Sequence, residues 1–231
     1  MELMRLHVEA LFTRDGAGRL LAVNDAAAAS APLFFLGRTV QGNAWWFRHD
    51  IGPAVAHELR ALCKSLPADW SIERGAEDAD AFIECLTREA PVQRLWSGPA
   101  YCFPRDLSAP SADAHVLDVT PENVDVLSPY LEGWRDDVAR GVPMAVALES
   151  AKAVSICCSV RLHPQAHEAG VETHPDFRGR GHAARATAAW ARLVLEMDRI
   201  PLYSTSWENG SSRALANKLG LAQYGADLHI T

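Results

Sequence analysis

Arg178-Gly179-Arg180-Gly181-His182-Ala183 is the stretch of this sequence that decides its fold class. Glycine reaches backbone conformations closed to other residues, so two glycines in one turn can point successive N–H groups into a single concavity. A predicted strand ends at Thr173, and a helical pattern begins near Gly181. Because a turn of this kind at a helix N-terminus binds phosphate groups, we predict an anion site here, with a solvated turn that merely contains arginines as the alternative.

The charge of the whole chain makes such a local site necessary for any anionic ligand. The formal net charge is -7 at pH 7, whereas the turn and the start of the helix carry Arg178, Arg180, His182 and Arg185. Because an acidic surface repels polyanions, the sequence disfavours nucleic acid or an anionic membrane as a partner. No run of about 20 apolar residues is present, and Met1–Arg5 lacks the basic start of a secretory signal. The sequence therefore predicts a cytoplasmic protein.

Cysteine and histidine usage predicts no metal and no disulfide. The five cysteines form no C-x-x-C pair, and an odd number argues against a disulfide framework. The adjacent Cys157 and Cys158 lie on a predicted strand, where a buried core thiol is commoner than a nucleophile. His163, His167 and His174 are close in sequence but lack paired carboxylates at a ligand spacing, so we interpret them as polar lining residues.

From Thr120 onward the periodicity predicts a mixed α/β order, in which an antiparallel meander precedes crossover connections. The predicted elements are a helix over 120–138, strands Met144–Leu148, Ala153–Leu162 and Ala166–Thr173, a helix over Gly181–Asp198, a strand over Pro201–Trp207, a helix over Ser211–Leu219 and a strand over Gln223–Ile230. Gly179-x-Gly181-x-x-Ala184 also fits a dinucleotide fingerprint. About 50 residues remain after it, too few to complete that fold.

Two motifs resemble the GNAT superfamily of N-acetyltransferases. Arg178-x-x-Gly181-x-Ala183 is similar to the family's R/Q-x-x-G-x-G/A signature, and Val171–Arg178 looks like its fourth strand running into that loop. Asn209–Leu221 resembles the closing N-x-x-[AS]…K-x-G-[FL] helix. The resemblance covers about residues 120–231 and implies a mixed, mostly antiparallel sheet flanked by helices.

The resemblance also implies acetyl-CoA as the co-substrate, with no metal. In that family the fourth and fifth strands splay apart and the pantetheine arm lies between them, which assigns backbone contacts with it to Val171 and Thr173. Asn209 and Ser212 are assigned to support near the pantetheine. The pyrophosphate is assigned to the backbone amides of Arg178, Gly179, Arg180, Gly181, His182 and Ala183.

The implied reaction is direct attack of a primary amine of a small molecule or peptide on the acyl group in a ternary complex. A protonated amine must first lose a proton, and a carboxylate is the usual base. Glu168 and Glu172 are an even number of residues apart on one predicted strand, so their side chains lie on the same face. We favour Glu172 as base or acceptor-binding residue, with Glu168 second. The alternative is that they are ordinary surface or ion-paired glutamates.

One departure from the family pattern affects the leaving thiolate. The family's tyrosine, which protonates the thiolate, is replaced by Ala216. Either the thiolate leaves unassisted or Tyr203, Ser206 or Tyr224 substitutes. The same departure keeps open a second function, a catalytically silent coenzyme A-binding regulatory module.

Residues 1–110 resemble no family and are predicted to form a smaller α+β domain, separated from a second domain over 113–231 by the linker-like segment 102–118. We expect it to narrow the acceptor cleft through Trp45–Asp50, the alternatives being stabilisation or a homodimer contact. The predicted elements are strands Leu6–Phe12, Leu20–Asn24, Phe34–Arg38 and Ala44–Arg48 and helices over Val55–Leu66 and Ala79–Glu89.

Overall fold

A computed structural model of the protein describes residues 1–67, 79–104 and 115–231. Its fold is α/β, with mostly antiparallel strands flanked by helices, as the sequence predicts. The helices are α1 (Glu2–Leu11), α2 (Pro53–Ser65), α3 (Ala79–Leu86), α4 (Arg135–Ala139), α5 (His182–Glu196) and α6 (Gly210–Lys218). The strands are β1 (Phe12–Arg14), β2 (Leu20–Val23), β3 (Phe34–Thr39), β4 (Gly42–Phe47), β5 (Leu95–Cys102), β6 (Val116–Asp118), β7 (Met144–Glu149), β8 (Lys152–His163), β9 (Ala166–Thr173), β10 (Ile200–Ser204) and β11 (Ala222–Ile230).

The chain divides into two compact units. The first contains residues 1–101, 204–213 and 222–231, and the second contains 102–203 and 214–221. The first unit thus takes up the last strand of the chain. The boundary that the sequence predicts, between residues 110 and 113, lies outside the described residues.

In the second unit the strands follow the order β10-β9-β8-β7-β6. All neighbours are antiparallel except β9 and β10, which run parallel. Helix α5 packs against β7, β8 and β9. The other face of the strands is covered by an apolar cluster that contains Leu127, Leu131, Val138, Ile156 and Cys158.

The segment 121–139 differs from the single helix that the sequence predicts. It contains short 3-10 turns at Pro121–Leu127 and Glu132–Trp134 and then the brief helix α4. Thr120 caps the first turn in a capping box with Asn123, as its residue type predicts. The apolar stripe continues, but Pro129 lacks the N–H that a continuous helix needs and disfavours helical geometry at the residue before it.

In the first unit the strand order is β4-β3-β11-β5, and β1 and β2 form a separate pair. The hairpin of β3 and β4 and the helices α2 and α3 confirm the predictions for this region. The predicted strand over Leu6–Phe12 is wrong: residues up to Leu11 belong to helix α1. Leu6, Val8 and Ala10 are all buried, and so is His7. Because α1 is enclosed on several sides, its apolar residues alternate as they would in a strand.

Candidate active site

The predicted anion loop has the backbone geometry that its glycines suggest. Gly179 and Gly181 adopt φ of 76° and 83°, in the left-handed region. Gly181 is the N-cap of α5, and the first bond of the helix runs from the N–H of Arg185 to the carbonyl of Gly181. The first N–H groups of a helix have no partner within the helix. The loop therefore offers donors and the positive end of a helix dipole to an anion.

Glu149, at the end of β7, holds this loop in place. Its Oε1 accepts a hydrogen bond from Arg180 Nη1 at 2.7 Å, and its Oε2 lies 2.6 Å from His182 Nε2. The hydrogen bond with His182 lowers the pKa of Glu149 against the effect of desolvation, and the charge of Arg180 lowers it further. Two of the positive groups that the sequence assigns to the loop are thus engaged by a carboxylate. Glu149 is 31 residues from Arg180, and no local motif predicts the contact.

His182 links Glu149 to Arg185. Its Nδ1 accepts a hydrogen bond from Arg185 Nη2 at 2.7 Å, so the proton of a neutral ring is on Nε2, facing Glu149. His182 is buried, which fixes the ring between its two partners. This chain of contacts sets the direction of the Arg185 guanidinium.

A cavity of about 300 Å³ lies beside the N-terminal turn of α5. Its cationic lining consists of Arg180, Arg185 and Lys218. The Lys218 amine is so close to the loop that a Cβ added to Gly181 would lie 3.3 Å from Nζ. A lysine beside the positive end of a helix is electrostatically unfavourable unless an anion is bound between them. The remaining lining residues are Val116, Gly181, Ala184 and Ala188.

Strands β9 and β10 form a fork. They pair only at Ile200–Ala166, Pro201–His167 and Leu202–Glu168. Strand β9 continues to Thr173 with no β10 partner in this register among the described residues. The fork opens towards the anion loop, which follows β9 directly. This is the splay that the resemblance implies.

The backbone groups that face the open side of the fork belong to Val171 and Thr173. The N–H of His174 donates to the carbonyl of Val154 on the β8 side. Because hydrogen-bonded positions alternate along an antiparallel strand, Glu172 and Gly170 also direct their backbone groups to β8. Val171 and Thr173 therefore point theirs the other way. The Thr173 carbonyl accepts a hydrogen bond from Arg178 Nε at 3.1 Å, which ties the loop to the strand end.

A β-bulge lies where the fork begins. The register of β8 against β9 shifts between Ser159 and Arg161, which leaves Val160 as the extra residue. A Cβ on Gly170 would lie 2.2 Å from Val160 Cγ1, so any larger residue at position 170 would require the Val160 side chain to move. Bulges increase the local twist of a strand pair.

The two candidate carboxylates lie at opposite ends of the fork, on the face away from α5. Glu168 is opposite Leu202 at the last β9–β10 pair and is only 3% exposed. Glu172 is exposed near the loop, and its Oε2 accepts a hydrogen bond from Trp134 Nε1 at 2.6 Å. No local pattern predicts this contact of Trp134, which has the spacing of an apolar helix stripe.

The other predicted site residues have structural partners of their own. The Oδ1 of Asn209 accepts from the N–H of Ser212 at 3.0 Å, as the cap of α6. Ala216 is fully buried. Because its side chain is a methyl group, this position offers no hydroxyl in place of the family's tyrosine. Tyr203 is a buried residue of the second unit, whereas Ser206 and Tyr224 belong to the first.

Cys157, Cys158 and His167 are buried in the second unit. Cys157 and Cys158 are fully buried, and burial raises the pKa of the Cys158 thiol to about 12. Burial lowers the pKa of His167 to about 4. Its Nδ1 lies 3.0 Å from Ser159 Oγ, which accepts a hydrogen bond from Trp190. Within the described ranges, no cluster of His, Cys, Asp and Glu is arranged to hold a metal ion. Nor does any helix of those ranges have the length and apolar character to cross a membrane.

An anion loop beside an open strand fork is the arrangement that the resemblance to the GNAT superfamily implies. The family described as GNAT acetyltransferase matches residues 125–226. The match covers 102 of the 231 residues, and this part of the chain is similar to that family. No curated protein sequence shows significant similarity to the chain.

Solved structures share this fold at low sequence identity. A GCN5-related N-acetyltransferase from Kribbella flavida matches 99% of this chain and 93% of its own, with a TM-score of 0.50 and 12% identity. The alignment with a Drosophila protein covers 100% of this chain and 86% of that protein, with a TM-score of 0.50 and 11% identity. A protein assigned to the GNAT family from Novosphingobium aromaticivorans matches 60% of this chain at 20% identity and a TM-score of 0.49. The match covers 65% of that protein, just under two thirds of its length.

Proposed function

We propose that this protein transfers the acetyl group of acetyl-CoA to a primary amine, by direct attack within a ternary complex. The observation that carries the proposal is the fork of β9 and β10, which opens onto a loop of left-handed glycines at a helix N-terminus. A ligand with an extended arm and a pyrophosphate at one end fits both features at once. The arm adds to the sheet as a strand would, while the pyrophosphate meets the helix N-terminus.

In the proposed complex, the backbone amides of Arg178–Ala183 bind the pyrophosphate. Arg185 and Lys218, which line the neighbouring cavity, supply positive charge for the remaining phosphate of the donor. The backbone groups of Val171 and Thr173 that face the open fork hydrogen-bond to the pantetheine. Asn209 and Ser212 remain proposed supports near the pantetheine, as the resemblance implies.

Glu168 is the better candidate for the general base. With the pyrophosphate at the loop, the thiol end of the donor lies towards the vertex of the fork, where Glu168 is opposite Leu202. Glu172 is at the loop end and already accepts a hydrogen bond from Trp134. We therefore assign proton removal from the amine to Glu168 rather than to Glu172. This reverses the order of preference that the sequence suggests.

The thiolate of coenzyme A needs little assistance to leave, because thiols of this kind have a pKa of about 8.5. Tyr203 directly follows Leu202 on β10 and is the hydroxyl nearest in sequence to the fork vertex. We assign it as the proton donor in preference to Ser206 and Tyr224.

The test of donor binding is a valine substitution in the loop. In Gly181→Val a branched side chain enters a position with φ of 83° and approaches the Lys218 amine. We expect acetyl-CoA affinity to fall by more than about 10-fold, which is about 1.4 kcal/mol, measured by calorimetry. The matched control is Gly141→Val, with φ of 66° and open space around it, which carries similar backbone strain away from the loop. Unchanged affinity in Gly181→Val, or an equal loss in both variants, would contradict the loop assignment.

The buried Ala216 favours a second candidate, a coenzyme A-binding module without catalysis. The two functions differ in free thiol release from acetyl-CoA with a pool of amines. Release above background that requires an amine supports the transferase. Tight acetyl-CoA binding with no release supports the module.

A further inference from the structure

The anion loop concentrates positive charge that repels itself while no donor is bound. Residues 178–185 contain three arginines and no acid, and the Lys218 amine lies beside Gly181. The positive end of the α5 dipole adds to this charge. Because like charges at short distances repel one another, the empty loop depends on a group of the protein itself to oppose the repulsion.

The β7–β8 hairpin brings a carboxylate to this loop through an unusual backbone. Ser150 and Ala151, which form the two-residue turn after Glu149, adopt φ of 50° and 61°. Turns of this kind normally use asparagine, aspartate or glycine, because other side chains disfavour the left-handed region. The register also shifts between Ala147 and Leu148, which marks a bulge just before Glu149. Strained backbone and bulges both concentrate at functional sites, where they direct a side chain.

The carboxylate of Glu149 uses both of its oxygens on the loop. Oε1 accepts a hydrogen bond from Arg180 Nη1 at 2.7 Å, and Oε2 lies 2.6 Å from His182 Nε2. Arg180 is held on two further sides, because its Nη2 donates to the Asp176 carbonyl at 2.9 Å and its guanidinium lies over the Phe177 ring. The Arg180 side chain is thus engaged in fastening the loop.

From the strained turn and the double contact we infer that Glu149 is a positioning residue, which keeps the anion loop assembled before a donor arrives. The inference rests on the proposed function, in which the backbone amides of this loop bind the pyrophosphate. A preorganised loop loses less conformational freedom on binding, so the affinity for the donor increases. Charge alone predicts the opposite sign, because a carboxylate beside the site repels an anion. The sign of the effect therefore separates positioning from simple electrostatics.

The experiment measures the affinity of the full-length chain for coenzyme A by calorimetry, in two variants that each remove one negative charge. Glu149→Gln also removes one of the two acceptor contacts with the loop, and we expect affinity to fall by about 10-fold. The matched control is Asp176→Asn, whose side chain is 81% exposed and leaves the backbone carbonyl to Arg180 intact. We expect it to leave affinity unchanged or to increase it by no more than about 2-fold. Affinity in Glu149→Gln that equals or exceeds that of the wild type overturns the inference.

Two substitutions of His182 provide a rescue that a merely structural role would not produce. Glutamine places an N–H where the imidazole has Nε2, so His182→Gln keeps the contact with Glu149. Asparagine places its amide at the position of Nδ1, so His182→Asn keeps only the contact with Arg185. The ligand is dephospho-coenzyme A, which lacks the ribose phosphate and so does not report on Arg185. We expect His182→Gln to retain most of the affinity and His182→Asn to lose as much as Glu149→Gln; an equal loss in both overturns the inference.

Failure of the proposed function is distinguishable from failure of this inference. If coenzyme A binds but no amine releases thiol, the transferase is excluded and the affinity test stands. If coenzyme A does not bind at all, amide hydrogen exchange of the ligand-free protein tests the loop by itself. The Arg185 amide, which donates to the Gly181 carbonyl in the first turn of α5, exchanges faster in Glu149→Gln and at the wild-type rate in Asp176→Asn. Unchanged exchange in Glu149→Gln overturns the inference.

Kinetics with a responsive amine give a further readout. Loss of positioning at the loop raises the KM for acetyl-CoA in Glu149→Gln and leaves kcat unchanged, because the loop is remote from the reacting atoms. A lower kcat at saturating acetyl-CoA, with an unchanged KM, overturns the inference.

Discussion

At the residue scale, the proposed site contains two glutamates that the sequence pattern cannot distinguish, whereas their surroundings in the fold differ. Glu168 and Glu172 have the same side chain, strand and face. Glu168 is buried at the vertex of the fork, and Glu172 is exposed and bonded to an indole. The difference comes from contacts with residues more than 30 positions away in the chain, Trp134 for one and Leu202 for the other.

Glu168→Gln therefore tests the assignment of the base. We expect kcat to fall by about 10²–10⁴-fold, the usual cost of losing a general base. Acetyl-CoA affinity should be unchanged, because the carboxylate is remote from the loop. The measurement is steady-state kinetics as a function of pH together with a binding titration. If Glu172→Gln shows this pattern and Glu168→Gln does not, Glu172 is the base, as the sequence alone favours.

The residues that hold the donor loop divide into those the sequence predicts and those it cannot. Gly179 and Gly181 are predictable because their function is conformational and local, and both adopt positive φ. Glu149 is not predictable, because nothing near it in the sequence indicates that its carboxylate will meet Arg180 and His182. The contact of Trp134 is not predictable for a different reason, because the apolar spacing of this residue fits a core position and does not reveal that its indole N–H meets Glu172.

At the scale of elements, helix α1 is tied to strand β11 by a buried polar cluster. His7 Nε2 lies 2.6 Å from Asp227 Oδ2, and both side chains are inaccessible to solvent. His229 Nε2 lies 3.6 Å from the other carboxylate oxygen. Burial alone would raise the pKa of Asp227, but interactions with His229 and His7 outweigh it and lower the pKa to about 2. A carboxylate held ionised in the core makes the first unit sensitive to acid.

The expected pH dependence follows from the direction of this shift. A folded-state pKa of about 2, below the ordinary 3.8, means that Asp227 contributes stability above about pH 4, and that this contribution is lost as the pH falls towards 2. Asp227→Asn should lower the free energy of unfolding at pH 7 by about 3 kcal/mol and flatten its decline in acid. Urea unfolding at a series of pH values measures both. The exposed Asp80→Asn serves as control, and an acid limb unaltered in Asp227→Asn would exclude this role.

Element type was predictable wherever periodicity and local signals agree. Strands β7, β8 and β9 and helices α5 and α6 lie where the sequence predicts them. The sequence pattern does not predict strand β5, because Gly98 and Pro99 interrupt it. A Cβ on Gly98 would lie 1.8 Å from the Thr205 carbonyl, so the glycine permits a close backbone approach that no local pattern reveals. The pattern of helix α1 is that of a strand because the helix is buried on several sides.

At the scale of the molecule, the last strand of the chain belongs to the first unit. Strand β11 pairs with β3 over Ala226–Arg38 to Ile230–Phe34. Leu228 and Ile230 are buried in the core of that unit, together with residues of α2 and α3. This last strand therefore depends on a partner strand that precedes it by almost 200 residues.

Removing residues 1–101 should consequently leave β11 with an unpaired edge and an exposed apolar face. We expect the truncated protein to aggregate, measured by size-exclusion chromatography and by dye binding to apolar surface. Replacing Leu228 and Ile230 with serine in the truncated protein should reduce the aggregation. A truncated protein that is monomeric, unfolds cooperatively and acetylates the same acceptor with an unchanged KM would show that the N-terminal residues are dispensable for the site.

The bulge at Val160 carries a consequence for how donor binding is inherited. If the main chain of Val171 and Thr173 binds the pantetheine, many side chains at those two positions are compatible with these backbone hydrogen bonds. The feature that must be kept is the divergence of β9 from β10. It begins beside the bulge at Val160, whose side chain occupies the space that Gly170 leaves. The heritable information for binding the donor would then lie partly in a pair of residues that never touch it. A lineage could lose the activity through one added methyl group at Gly170 while every ligand-contacting residue stayed intact.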